Sequence, residues 1–392
     1  MKVLLALNAL GIGGTETYVF TVAEQLDRLG HEPVIYSPEP GRGVEVARER
    51  GLTVIGAEEL GEEFDVALVQ DAAVAYEVAE LCPGVRSVFV AHSESFDPQS
   101  PPQLTGTVDV QVAMNDRVEQ RLRAYDAGGE IVRLRQPIDT ERFKAPWPLP
   151  ERPERALLLS NNPISDRLEM LEEACREAGL ELVRAGGAGR QTTDPREALA
   201  AADVVIGLGR GILEAMACGR AAFVYDWSGG EGWVTPDSYP AIEADGFAGR
   251  GETVFDAPTL ASALKEYDSS MGPVNRDLVV AHHRANDHVQ QLVEIFRRLS
   301  SPAKRAVVPL AEMARLVRLE WRARAEVHGL RVDNARLNAE LHETNLKLAA
   351  AQEAQVEAEQ RASGTAKRFE STLSWRLTKP LRALLGRRGR SR

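Results

Sequence analysis

The sequence predicts an α/β protein made of two Rossmann-like domains, and three observations carry that prediction. Short apolar runs alternate with helical patterns through most of residues 1–300. A glycine-rich turn follows an apolar strand once in each half, at Gly11-Ile12-Gly13-Gly14 and at Gly207-Leu208-Gly209-Arg210-Gly211. Between the halves, Pro146, Pro148, Pro150 and Pro153 crowd a polar stretch at 144–155 that cannot join a helix or a central strand, which makes it a semi-rigid linker.

Each element follows from local pattern. Val3–Leu7 reads as a first buried strand, too short an apolar run before Asn8 for a secretory leader. Tyr18, Val19, Val22, Ala23, Leu26 and Leu29 then recur at helical spacing until Gly30, and Pro33–Tyr36 begins the next strand. Val66–Val69, Val85–Ala91 and Val108–Ala113 continue as strands, with helices at Ala72–Leu81 and Arg117–Tyr125. Beyond the linker, Ala156–Ser160, Leu180–Arg184, Asp203–Ile206 and Ala221–Tyr225 alternate with helices near Asp166–Ala178, Pro195–Ala201 and Ile212–Ala217. From about Leu310 one long helix is expected to about Ala362, broken at Ser363-Gly364. Its heptads place Glu320, Val327, Asn334, Leu341 and Leu348 at a and Ala323, Leu330, Leu337, Thr344 and Ala351 at d, the pattern of a coiled coil. The expected organisation is 1–145 and 155–300 as the two domains, 310–362 as a coiled coil and 366–392 as a basic tail.

Composition removes several function classes. At 392 residues and 44% hydrophobic content the chain can bury more than one core, which excludes global disorder. No apolar stretch approaches the ~18–20 residues of a membrane-spanning helix. Cys82, Cys175 and Cys218 are odd in number and far apart, which argues against a disulfide framework and for a reducing, cytoplasmic setting. Residues 366–392 carry nine Lys/Arg against Glu370 alone, a net +8 within a chain of net −11, so the remaining residues hold −19. An acidic body with one basic end does not fit nucleic-acid binding, and points the tail at an anionic surface such as the inner face of a membrane. Leu373, Leu377, Leu381, Leu384 and Leu385 share one side of its helical wheel, opposite Arg376, Lys379 and Arg382.

Two loops can carry chemistry. Gly11–Gly14 lets backbone approach a phosphate beside a helix N-terminus, although Glu16 stands where a dinucleotide fingerprint has its third glycine. Gly209, Arg210, Gly211 and Ile212 open a second helix whose first amides, with Arg210 as counter-charge, suit phosphate oxygens. One turn on, Glu214 can accept from a ribose diol. Metal chemistry has no support: no two aspartates are spaced i, i+2, and His282, His283 and His288 lack ligand spacing.

The segments "GGTETYVFTVAEQLDRLGHEPVIYS", "PIDTERF" and "ILEAMACGR" together resemble the retaining glycosyltransferases of the GT-B fold, family 4 type, in order and spacing over roughly residues 1–300. The resemblance implies two Rossmann-like domains facing across a cleft, with a nucleotide-sugar as co-substrate and no cofactor. It also implies Gly13 and Gly14 beside the donor diphosphate, Gly209-Arg210-Gly211 on the phosphates, Glu214 on the ribose and His92 near the transferred sugar. Where the family places basic residues after the first strand of the second domain, this chain offers Asn161 and Arg167, and Gly207 is read as replacing the first glutamate of the family's pair. The "STLSWRLTKPLR" tail resembles those of bacterial surface-polysaccharide glycosyltransferases, which implies a glycan or lipid-linked acceptor. The expected activity is metal-independent transfer of a sugar, of hexosyltransferase type, by a homodimer at the membrane face. The alternatives are a non-catalytic scaffold on the same fold and a nucleotide-sugar 2-epimerase.

Overall fold

The computed structural model describes the chain except for residues 62–63, 94–95, 97–98, 105, 126–128, 145–147, 161–165, 187–193, 227–228, 252–254, 300–309 and 379–392. In the first lobe, the apolar runs become seven parallel strands: β1 (Lys2–Ala6), β3 (Glu32–Tyr36), β5 (Thr53–Ile55), β6 (Val66–Val69), β7 (Arg86–Ala91), β8 (Val110–Ala113) and β9 (Glu130–Arg133). Their order is β5-β3-β1-β6-β7-β8-β9, and a two-residue pair, β2 (Ala9–Leu10) with β4 (Glu39–Pro40), lies apart. Helices α1 (Gly14–Arg28), α2 (Gly43–Glu49), α3 (Ala72–Leu81) and α4 (Asp116–Tyr125) supply the crossovers. Val3 and Leu5 pack on one face of the sheet with Tyr18, Val22 and Leu26 of α1. Leu4 and Ala6 pack on the other with Val74 and Val78 of α3 and Leu122 of α4. Burial on both faces is why these strands read as unbroken apolar runs instead of alternating ones.

The second lobe repeats the plan with a smaller sheet ordered β11-β10-β12-β13-β14. Its strands are β10 (Arg155–Leu159), β11 (Glu181–Ala185), β12 (Val204–Gly207), β13 (Ala221–Asp226) and β14 (Gly229–Trp233), and only β14 runs antiparallel to its neighbour. Around it lie α5 (Asp166–Ala178), α6 (Arg196–Ala200), α7 (Arg210–Ala217), α8 (Tyr239–Ala244), α9 (Ala257–Leu264), α10 (Met271–His282) and α11 (Ala285–Arg298).

The chain crosses between lobes twice, and the two crossings pair. Ile138 N–H donates to His283 O at 2.7 Å, and Ala285 N–H donates to Ile138 O at 3.0 Å. After the second crossing, α11 leaves the lobe that precedes it. Val289, Leu292, Val293 and Phe296 are buried in the first lobe's core beside Tyr18 and Leu26. The expected boundary at 300 therefore misplaces 285–298, because an amphipathic helix carries no mark of which sheet it will cover.

Last comes α12 (Leu310–Ser371), followed by α13 (Leu373–Leu377). Its first turns belong to the first lobe's body: Leu310 and Ala314 are buried against Tyr76 and Ala79 of α3, and Arg318 pairs with Glu77. Trp321 stands edge-on to Phe96 with ring centroids 4.9 Å apart. The expected break at Ser363-Gly364 does not occur. Glycine in a helix interior costs only about 1 kcal/mol relative to alanine, and Thr365 Oγ1 caps the local carbonyl of Arg361 at 2.8 Å. Residues 333–392 form a separate unit. In it Leu337, Leu341 and Leu348 are 56%, 59% and 55% exposed, and Asn338 Nδ2 donates to Asn334 Oδ1 at 2.7 Å. Among the described residues no helix is long and apolar enough to cross a membrane.

Candidate functional site

In a doubly wound sheet, ligands bind where the strand order reverses, outside the carboxyl ends of the two strands that flank the reversal. In the first lobe that point lies between β1 and β6, paired from Val3↔Val66 to Ala6↔Val69. In the second it lies between β10 and β12, paired from Ala156↔Val204 to Leu159↔Gly207. The first glycine loop leaves the end of β1, the second leaves the end of β12, and His92 follows β7 next door. Topology thus puts most of the sequence-predicted residues at the two switch points.

The first loop already holds an anion of its own. Glu16, in the first turn of α1, accepts the Gly11 N–H at 3.1 Å. A Cβ at Gly13 would lie 2.8 Å from the other Glu16 oxygen, so a side chain there would displace this carboxylate from its present position. Burial raises the pKa of Glu16 against the lowering effect of the amides it accepts from. Gly14 has open space around it.

In the second loop Gly209 caps α7 with φ +58, in the region that favours glycine, and its N–H donates to Phe247 O at 2.8 Å. A Cβ at Gly211 would meet Leu159 Cδ2 at 3.0 Å. Ile212 is fully buried in the second lobe's core, with its N–H on Gly209 O at 3.2 Å. The amides of Arg210 and Gly211, first in the helix, have no intrahelical acceptor.

Arg210 spends its guanidinium on the protein. Nε donates to Glu214 Oε1 at 2.8 Å, Nη1 to Pro137 O at 2.9 Å and Nη2 to Thr21 Oγ1 at 3.1 Å. It therefore ties α7 to the first crossing segment at Pro137 and to α1 of the first lobe. The side chains of the pair are 9% and 8% exposed. For Glu214 burial is the largest influence and raises its pKa, opposed by Arg210. With seven residues standing between the family's two glutamates, the first position counted from Glu214 is Ile206, not Gly207, and neither carries a carboxylate. At Gly207 a Cβ would lie 2.6 Å from Leu159 O, so the backbone leaves no space for a side chain there.

His92 lies between residues that the sequence did not single out. Its Nε2 is 2.6 Å from Gln70 Oε1, and its ring stands edge-on to Tyr18 at 4.9 Å. Tyr18 OH is 3.0 Å from His288 Nε2, and His288 Nδ1 is 2.8 Å from Arg135 O. Burial first, then the charge of Arg210, pushes the His92 imidazole down to about 3, so it is neutral at physiological pH. Nearby, Asp71 caps α3 through the Val74 N–H at 3.0 Å and holds the Asn8 N–H at 2.7 Å. Neither Gln70 nor Asp71 was a sequence candidate, although both are polar residues directly after the apolar strand Val66–Val69. Tyr18 was read only as part of the apolar face of a helix, and His288 only as a histidine without ligand spacing, with nothing to join it to Tyr18, 270 residues away. Asn161 lies outside the described residues, as does the side chain of Arg167, whose backbone is in α5.

No protein-family model and no curated protein sequence matches the chain. Solved structures do. A glycosyltransferase from Rickettsia africae ESF-5 matches over 76% of this chain and 98% of its own, at 15% identity and a TM-score of 0.53. Anabaena Alr3699/HepE in complex with UDP-glucose matches over 76% and 100%, at 12% identity and a TM-score of 0.56. A TarM mutant from S. aureus, in complex with fondaparinux, α-GlcNAc-glycerol and UDP, matches over 76% and 100%, at 9% identity and a TM-score of 0.51. At such identities the likeness is one of fold, and the chain has the GT-B fold.

Proposed function

We propose that this protein is a glycosyltransferase that moves a sugar from a nucleotide-sugar to a hydroxyl of a glycan or lipid-linked acceptor, with retention and without a metal ion. The observation that carries the reading is the pair of facing switch points. One presents the glycine loop, Gln70 and His92; the other presents the first amides of α7, and Arg210 bridges to the first lobe. Neighbours of the same fold whose complexes contain UDP-glucose or UDP support a nucleoside-diphosphate donor. The chemical task is to stabilise charge on the departing diphosphate, which helix N-terminal amides can do from a fixed position. Closure of the lobes around the donor would exclude water from the sugar. Incubating the purified protein with a panel of nucleotide-sugars and following nucleoside-diphosphate release and product mass is expected to identify one preferred donor. If no donor is turned over while nucleoside diphosphates fail to bind, the non-catalytic scaffold reading stands instead, a reading that the three protein contacts of Arg210 and the absence of an acid at Ile206 favour.

The long helix fits a parallel homodimer. Its heptad positions Val327, Leu330, Leu337, Leu341 and Leu348 are 47–62% exposed in the single chain, and Asn334 at an a position specifies an in-register parallel pair. Light scattering should give a dimer for the full chain and a monomer for a chain ending at Val332, which keeps the helix root on the first lobe. A dimer of the shortened chain would rule out this interface.

The basic end fits a peripheral contact with anionic lipid at the cytoplasmic face. Leu377 is 73% exposed, and each Lys or Arg near such a surface contributes about 1 kcal/mol. The full chain should co-sediment with anionic vesicles and not with neutral ones, with binding that weakens as salt rises. Removing 366–392 should abolish it; equal sedimentation without those residues would refute the membrane role.

A further inference from the structure

Gln70 follows β6 at the first lobe's switch point and is 1% exposed. Its main-chain N–H donates to Ala6 O at 3.0 Å, which fixes the residue beside the end of β1. Its side chain has two contacts of opposite kind. Nε2 donates to Leu68 O at 3.4 Å, and Oε1 sits 2.6 Å from His92 Nε2. The first contact settles the second, because Leu68 O can only accept and so must face the amide NH2, which leaves the carbonyl for His92. A carbonyl oxygen only accepts, so His92 Nε2 must carry the proton. Nδ1 is then the lone-pair nitrogen.

The other groups facing His92 do not compete for this arrangement. From α1, the Tyr18 ring packs T-shaped with the His92 ring, centroids 4.9 Å apart, while its hydroxyl is bonded to His288 Nε2. From α11, His288 gives its Nδ1–H to Arg135 O at 2.8 Å and is itself neutral. From α7, the Arg210 guanidinium is bound to Glu214, Pro137 and Thr21, and its charge disfavours a second cation nearby.

We propose that Gln70 is a positioning residue that locks His92 in its Nε2–H tautomer, so that Nδ1 accepts a hydrogen bond from a sugar hydroxyl. This rests on the glycosyltransferase reading. No covalent bond changes in the step: the hydroxyl donates to Nδ1, and its oxygen is held at one fixed direction from the ring. A protonated or Nδ1–H imidazole would instead present a donor there and turn the hydroxyl around.

The test labels the histidines of the full-length protein with 15N and reads ring tautomers from long-range 1H–15N correlations, with His92 assigned by the signals lost in His92→Gln. The neutral Nε2–H pattern is expected from pH 8 down to pH 5. In Gln70→Leu the tautomer preference disappears. In Gln70→Glu, nearly isosteric, a carboxylate on Nε2–H favours the cation, so His92 titrates within that range. Transfer activity of Gln70→Glu should fall roughly tenfold or more in kcat as pH drops from 8 to 6, against a flatter wild-type profile, with KM for the donor changed by less than about threefold. An Nδ1–H tautomer in the wild type overturns the proposal, as does a wild-type tautomer and pH profile in Gln70→Glu. The spectrum needs no turnover: the expected tautomer in a protein that turns over no donor supports the lock by Gln70 and refutes the glycosyltransferase reading, and with it the hydroxyl contact.

Discussion

Glu214→Ala is expected to destabilise the two-lobed body by about 3–5 kcal/mol, since it strands a buried guanidinium without its carboxylate. Arg210 has little access to water to compensate, its side chain being 9% exposed. Its remaining acceptors, Pro137 O and Thr21 Oγ1, are neutral. Glu214→Gln keeps an acceptor for Nε and loses only the charge, so its cost should be about 1–2 kcal/mol. Arg210→Met with Glu214→Leu removes both charges and should recover most of what Glu214→Ala loses, the signature of a coupled pair. Urea denaturation at pH 7.5 measures all three. A loss below about 1 kcal/mol in Glu214→Ala would show that the pair is solvated and the strut between lobes unimportant. The choice of variant also matters for function. Loss of nucleotide binding in Glu214→Ala mixes a ribose contact with a loosened lobe junction, whereas Glu214→Gln separates them.

How much of this was legible in the sequence depends on the range of the interaction. Strands buried on both faces and helices with one apolar stripe announce themselves locally, so β1, β6, β7, β10, β12 and β13, with α3, α5 and α7, fall close to their expected places. The turns Gly11–Gly14 and Gly209–Gly211 were legible as glycine-rich breaks after apolar strands, and at Gly209 a φ of +58 favours glycine. What was not legible is set across lobes. Arg210 looked like a free counter-charge, and only the folded chain brings Thr21 and Pro137 to it, 189 and 73 residues away. Ile212 was read with the donor loop at the start of its helix, and its side chain fills the core. Glu16 looked like a failed third glycine, and its carboxylate turns out to fill the loop it interrupts. The helix at 310 showed its heptads plainly but gave no sign that Trp321 would meet Phe96 in the segment after His92.

The junction between lobes makes stability depend on pH in a way that two histidines can isolate. His283 and His288 hold the segment just after β9 by the same device. Each places Nδ1 on a carbonyl of that segment, Gln136 O at 2.9 Å and Arg135 O at 2.8 Å. Each then meets a tyrosine hydroxyl with Nε2, Tyr239 at 2.8 Å and Tyr18 at 3.0 Å. Because those carbonyls only accept, Nδ1 carries the proton and the tyrosine donates to Nε2. Burial pushes the two imidazoles down to about 3 and about 4, against an ordinary value of 6.5 in the unfolded chain. Their folded pKa values are depressed, so their contribution is fully present above pH 6.5 and is lost as pH falls toward 4, where the unfolded chain binds protons the folded one refuses. Each histidine accounts for about 1.4 kcal/mol per pH unit in that window. Asp71 and Glu231 act in the opposite sense, since burial pushes them up to about 6 and about 7 and the folded chain takes their protons first. The wild-type slope is therefore a net of both kinds, and the informative quantity is the difference between wild type and variant. At pH 7.5, His288→Gln should be less stable than wild type by about 1–3 kcal/mol, the cost of its lost hydrogen bonds. That gap should close by about 3 kcal/mol between pH 6.5 and 4.5, because the variant no longer carries the proton penalty. His283→Gln should behave the same way. Urea midpoints at four pH values measure the gap, and a gap that stays constant with pH would mean that these imidazoles titrate normally in the folded protein.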